Sequence, residues 1–123
     1  LPGAMKFIKE VKDNNILIAV GSASKNTMTI LDRLDLTSWF EAIVDGTKIS
    51  KAKPNPEVFL KAAKELNTPP EQCVVFEDAQ AGVKAALAGG MKSIGIGSPD
   101  ILKEANLVVA GLHEMNMKKL SQL

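Results

Sequence analysis

The chain has 123 residues, 46% of them hydrophobic and 24% charged, with a formal net charge of +1. That describes one small domain at most, with enough apolar side chains for a core and too little charge bias for a disordered tail or a strong field. A nucleic-acid surface would need clustered Lys and Arg with aromatics, and aromatics are only 4%. No apolar run approaches the ~20 residues of a membrane span. The single cysteine, Cys73, excludes an internal disulfide and fits a reducing cytoplasm. The opening Leu1-Pro2-Gly3, without Met or a signal segment, reads as the interior of a longer protein.

Residues 3–14 predict an amphipathic helix with Met5, Ile8 and Val11 on one stripe. Ile16 to Val20 is a continuous apolar run, the pattern of a strand buried on both faces. Gly21 to Ser24 turns the chain into a second helix carrying Met28, Leu31 and Leu34 on one side. Ala42-Ile43-Val44 is a short strand, and Asp45 to Lys53 a polar loop. Lys53-Pro54-Asn55-Pro56-Glu57 starts a helix, with Asn55 as cap, Pro56 first and Glu57 at the positive end of the dipole. Cys73 to Phe76 is a strand. Residues 79–88 form a helix of small residues ended by Gly89-Gly90. Ser93 to Ile96 is a strand, Pro99 to Glu104 a short helix, Leu107 to Val109 a last strand, and the tail from Glu114 helical. Helices alternating with short buried strands predict an α/β fold on a parallel sheet, with ligands beyond the carboxyl ends of the strands.

Those strand ends carry the polar residues. Gly21-Ser22-Ala23-Ser24-Lys25-Asn26 follows the first strand. A glycine, two hydroxyls, an ammonium and free N–H groups at a helix start suit a phosphate, and they equally suit an ordinary Ser cap beside a solvated Lys. Lys53 ends the loop after the second strand and taken alone is a surface lysine. Glu77-Asp78 follows the third. Adjacent carboxylates repel unless a cation or solvent compensates them, and hard oxygens of this kind suit Mg²⁺. The alternative makes Asp78 the cap of the next helix, which leaves Glu77 unexplained. His113 reads as a loop residue, and Cys73 as buried and inert. Gly95-Ile96-Gly97 lacks the third glycine of a dinucleotide fingerprint.

Taken in order, Ser22, Lys53 and Glu77-Asp78, in the contexts Lys-Pro-Asn-Pro-Glu-Val-Phe and Phe-Glu-Asp-Ala-Gln-Ala-Gly-Val, resemble the second, third and fourth motifs of the haloacid dehalogenase superfamily. Ser22-Ala23-Ser24-Lys25-Asn26 and Gly95-Ile96-Gly97-Ser98-Pro99 are similar to its β-phosphoglucomutase subfamily. The resemblance implies a Rossmann-like three-layer α/β/α core. Ser22, with the Ala23 amide, would hydrogen-bond the transferring phosphoryl group, and Lys53 would offset its charge. Glu77 and Asp78 would hold Mg²⁺, Asp78 more directly. Ser24, Lys25 and Asn26 would grip the second phosphate of a bisphosphorylated sugar. The substrate implied is a small sugar phosphate, with no nucleic acid or membrane as partner.

The family's first motif, an Asp-x-Asp whose first Asp becomes an aspartyl-phosphate and whose second is the general acid/base, does not occur in this sequence. Nor does the helical cap domain. Residues 1–123 are therefore expected to be the C-terminal part of an incomplete core. In this fold the missing strand lies between the strand ending near Val20 and the one ending near Glu77. An N-terminal segment or a second chain is expected to complete the sheet, unless the sheet closes across the gap. The resemblance implies a parent protein that interconverts β-D-glucose 1-phosphate and glucose 6-phosphate through a bisphosphate, this chain alone being inactive. The alternatives are a sugar-phosphate phosphatase of the same superfamily and a silent Mg²⁺- or phosphate-binding fragment. An acceptor of phosphate at Asp78, as in a receiver domain, would leave the Ser22 and Lys53 loops without a role.

Overall fold

Apolar periodicity places the first helix of the computed structural model, which describes residues 3–123; Leu1-Pro2, on which part of the longer-protein reading rests, lies outside the described residues. Helix α1 (Ala4–Asp13) buries Phe7 and Val11. The stripe expected at Met5 is thus shifted: Met5 is exposed, and the i, i+4 pair Phe7–Val11 faces inward. Strand β1 (Ala19–Gly21) leads to α2 (Thr27–Arg33), a 3₁₀ turn at Thr37–Trp39 and β2 (Ala42–Val44). Helix α3 (Glu57–Glu65) precedes β3 (Val74–Glu77), α4 (Gln80–Ala88), β4 (Lys92–Ile96), β5 (Leu107–Val109) and the short α5 (Met117–Ser121).

The start of α3 is shifted by one residue from the sequence expectation: Pro56, not Asn55, is the N-cap and Glu57 the first helical residue. Asn55 Oδ1 accepts the Glu57 N–H at 3.0 Å, while the Pro56 carbonyl accepts from Phe59 and Leu60. At the C-terminal end of α4, Gly90 takes a left-handed φ of 76° and the Met91 N–H returns to the Ala86 carbonyl at 2.9 Å. Pro99 to Glu104 is not a helix but a series of turns. It makes a single i→i+4 bond, Leu102 N–H to Ser98 O at 3.0 Å, too little to offset helix nucleation.

All strand pairs are parallel: β1 with β2, and β3 with β4, which pairs with β5. They form two separate pieces, β1-β2 and β3-β4-β5. Alternation along the strands puts a core on each face. Val75 joins Val44, Val58, Phe59, Ala63, Ala85 and Ala86 beneath α3 and α4. Val74 and Phe76 join Phe7, Val11, Ile94 and Val109 beneath α1, where the Phe7 and Phe76 rings are 5.4 Å apart. The chain is an α/β protein with parallel sheets between helical layers, and the helices, not a strand ladder, tie the two pieces together.

Where β1 should be most buried it is not. The expected five-residue strand is reduced to Ala19–Gly21, with Ile16 and Leu17 exposed at 38% and 48%. On α2 the expected apolar stripe is likewise uncovered, with Met28 and Leu34 exposed and Thr27 the buried residue. An apolar run is buried only where a neighbour covers it, and β1 has a partner on one edge alone. No helix among the described residues is long and apolar enough to cross a membrane.

Candidate active site at the strand ends

Lys53 and Glu77 meet across the gap between the two sheet pieces. Lys53 Nζ lies 2.8 Å from Glu77 Oε2, with the side chains 20% and 10% exposed. This joins the loop after β2 to the end of β3. The ammonium also sits 4.9 Å above the Phe59 ring centroid, an attractive cation–π position. The same ring backs Gly21, where a Cβ would lie 3.1 Å from Phe59 Cδ1. Phe59, from the first turn of α3, thus packs against both the end of β1, which leads into Ser22, and Lys53.

The Ser22 loop is built from its own hydroxyls. The Ser22 N–H donates to Val44 O at 2.9 Å, continuing the β1–β2 ladder past its assigned end. Ser22 Oγ accepts the Ser24 N–H at 3.1 Å, and Ser24 Oγ accepts the Asn26 N–H at 3.2 Å. Each is a Ser-type turn. A hydroxyl that accepts still has its proton to donate, so Ser22 Oγ is oriented by the loop yet free to bond an anion. Among the described residues the N–H groups of Ala23 and Lys25 donate to nothing. Ser24, Lys25 and Asn26 are exposed. Helix α2 has only seven residues, so an anion placed at this loop would meet Lys25 and these N–H groups rather than a long helix dipole.

The two carboxylates part company. Glu77 Oε1 accepts from the N–H groups of Asp78 at 3.2 Å and Ala79 at 3.4 Å, and its Oε2 is paired with Lys53. The cation that the sequence argument required for Glu77 is therefore supplied by this chain. Asp78 is exposed. It does not cap α4, which begins after Ala79 without any side-chain cap. Among the described residues no three His, Cys, Asp or Glu side chains gather around one point. The donor set fits a cation such as Mg²⁺, which takes one or two carboxylates and completes its shell with water and phosphate oxygens. It does not fit a metal caged by protein alone.

Several supporting residues escaped the sequence reading. A Cβ on Gly82 would lie 2.0 Å from both Cγ and Cδ of Glu77, so α4 leaves room for that carboxylate by carrying no side chain there. Buried Thr27 donates its hydroxyl to Ser24 O at 3.0 Å. Asp45, buried at the end of β2, accepts from Thr47 N–H at 2.9 Å and from the Thr47 hydroxyl. These bonds hold its carboxyl below the usual range. Only Asp45 gave a sequence signal, a carboxylate directly after a strand. His113 is an exposed residue of the 3₁₀ turn Leu112–Glu114. Cys73 is half-buried rather than buried and precedes β3 rather than starting it, with its thiol pKa raised by burial and by the nearby charge of Glu71.

A family model described as haloacid dehalogenase-like hydrolase matches residues 1–90. A β-phosphoglucomutase of Bacillus subtilis strain 168 is 38% identical over 122 residues, 99% of this chain and 54% of that protein. A phosphorylated carbohydrates phosphatase of Thermotoga maritima is 36% identical over 95 residues, 76% of this chain and 44% of that protein. The crystal structure of a β-phosphoglucomutase from Clostridium difficile superimposes with a TM-score of 0.95 at 40% identity, covering 99% of this chain and 55% of that one. The chain spans about half the length of these relatives.

Proposed function

The chain belongs to the haloacid dehalogenase-like hydrolase family, and from that premise we propose that it supplies the phosphate-binding and charge-balancing half of a sugar-phosphate phosphotransferase, a β-phosphoglucomutase. The observation that carries the proposal is the Lys53–Glu77 pair at 2.8 Å, supported by the Phe59 ring, which packs against both Lys53 and the strand end that leads into Ser22. Phosphoryl transfer needs little covalent chemistry from its surroundings beyond the nucleophile. It needs donors and positive charge fixed around an anionic, loose transition state.

In this reading Ser22 Oγ–H and the Ala23 N–H donate to the transferring phosphoryl oxygens. Lys53, held between Glu77 and Phe59, faces them with its remaining charge. Glu77 fixes Lys53, and Asp78 is the residue that would hold Mg²⁺ directly. When bound, the metal would neutralise charge on the phosphoryl group. Ser24, Lys25 and Asn26 take the phosphate that does not react. The phosphoryl group would pass through an aspartate of an Asp-x-Asp segment that this sequence does not contain, supplied by the front part of a longer protein or by a second chain. That segment would also fill the gap between β1 and β3. We place the enzyme in the cytoplasm, where the lone Cys73 needs no partner.

A second reading, a phosphatase of the same family acting on sugar phosphates, is favoured by the similarity to the Thermotoga maritima phosphatase. There, water rather than the sugar takes the phosphoryl group. The test is an assay of the chain together with an Asp-x-Asp segment, linked or mixed. Isomerisation of β-glucose 1-phosphate that outpaces phosphate release supports the mutase. Release of phosphate without isomerisation supports the phosphatase, and no turnover in either assay supports a silent binding fragment.

A further inference from the structure

We propose that Gly46 is a positioning residue for the phosphate loop, the point on β2's exit against which Ala23 and Lys25 are seated. The proposal rests on the reading of Ser22–Asn26 as a phosphate site and adds to it the element that sets the loop's shape.

Strands β1 and β2 run in register to Gly21 and Val44. One residue beyond Val44, the buried Asp45 draws Thr47 back through its N–H, and this turn carries Gly46 under the loop. The Gly46 N–H donates to Ser24 O at 3.0 Å, the same carbonyl that receives the Thr27 hydroxyl. Space is tighter still. A Cβ at Gly46 would lie 2.2 Å from Ala23 O, 3.0 Å from Ala23 C and 3.1 Å from Lys25 Cγ. The first two neighbours are backbone atoms and cannot swing aside as a side-chain tip can. The requirement is one of room alone, since Gly46 is not among the glycines with positive φ. The atoms that a side chain here would push belong to the residues whose free N–H groups and ammonium face the anion. A methyl group at 46 therefore alters the phosphate site without touching a phosphate ligand.

The test uses the whole chain and inorganic phosphate as probe, read by amide chemical shifts. In the unmodified chain phosphate should shift the Ala23 and Lys25 amides saturably. Gly46→Ala should weaken that binding tenfold or more while the β3–β5 amides keep their positions. Gly90→Ala is the control: its φ of 76° makes any side chain strained, but a Cβ there meets nothing within 4 Å, so it should lower stability and leave phosphate affinity unchanged. If Lys25→Ala weakens binding and Gly46→Ala does not, Gly46 has no positioning role and the phosphate reading stands. If phosphate shifts neither amide in the unmodified chain, the phosphate reading falls and this inference with it. Should Gly46→Ala fail to fold, hydrogen exchange in the unmodified chain decides. Saturating phosphate should slow exchange of the Gly46 N–H several-fold, and unchanged exchange overturns the proposal.

Discussion

The Glu77 carboxyl group occupies the space that a side chain on Gly82 would fill, with 2.0 Å between Glu77 Cδ and the position of a Gly82 Cβ. The salt bridge to Lys53 thus depends on a helix position whose contribution is to carry nothing. Two opposed effects follow from Gly82→Ala. An alanine inside a helix is worth about 1 kcal/mol over glycine. Displacing Glu77 breaks a charge-assisted bond of roughly 1.5–3 kcal/mol. The expected outcome is a net loss of about 1 kcal/mol, read as a lower Tm. In a Glu77→Ala background, where neither the bond nor the crowding exists, Gly82→Ala should instead stabilise by about 1 kcal/mol, the helix gain alone. A Tm raised by Gly82→Ala would mean that Glu77 has another place to go.

The substrate that carries two phosphates should depend on Lys25 more than the substrate that carries one. In a complete enzyme, Lys25→Ala removes a cation from the phosphate that does not react, and that phosphate orients the sugar for the second transfer. Mutase turnover should fall by about 10–100-fold, the equivalent of one charge-assisted bond. Hydrolysis of a small monophosphate should fall less. Equal losses in the two assays would count against the mutase assignment.

The proposed site residues were legible because the proposed chemistry lies in their side chains. Ser22, Lys53, Glu77 and Asp78 can be recognised by type, order and position after a strand. Gly46 and Gly82 could not be, because what matters is an absent Cβ and a neighbour far away in sequence. Ile16 and Leu17 misled for a related reason. Hydrophobic runs report what a strand is suited to, whereas exposure depends on whether the covering strand is there. On α1, two overlapping stripes were available, and the choice of Phe7 over Met5 was made by the facing Phe76 ring, which no local pattern contains.

Acid should loosen the turn beneath the Ser22–Asn26 loop. Asp45 has its carboxyl pKa lowered by the Thr47 hydroxyl and N–H, and Glu57 by the Ser50 N–H and hydroxyl. Depressed folded-state values mean that these groups contribute stability above their unfolded pKa, near about 4. That stability is lost as pH falls through the still lower folded values. Stability should therefore hold from pH 7 down to about 5 and decline below about 4. In Asp45→Asn the decline should be shallower, with a lower plateau at neutral pH. Denaturant titrations across this range would expose the opposite sign if Asp45 were protonated in the folded chain.

The two open edges should dominate the behaviour of the chain in isolation. Among the described residues β1 pairs only with β2, and β3 only with β4. The N–H and C=O groups on the facing edges can be satisfied by water, so the deficit is not a set of buried orphans. It is an unpaired strand edge and the apolar surface of Ile16 and Leu17 left wet, at about 25 cal/mol per Å². A free edge with apolar flanks is a template for another strand. Stability is accordingly expected below the usual range of about 5–15 kcal/mol. Sedimentation should show self-association that grows with concentration. An added segment that forms the missing strand and ends in Asp-x-Asp should reverse both effects, raising Tm with its concentration as a ligand of the folded state does and returning the chain to one defined species. A segment with the same composition but a proline at its centre should do neither, since proline has no N–H to donate to a ladder and is excluded from inner strands. If the chain alone is monomeric and of ordinary stability, and the segment changes nothing, the gap between β1 and β3 is not a strand site.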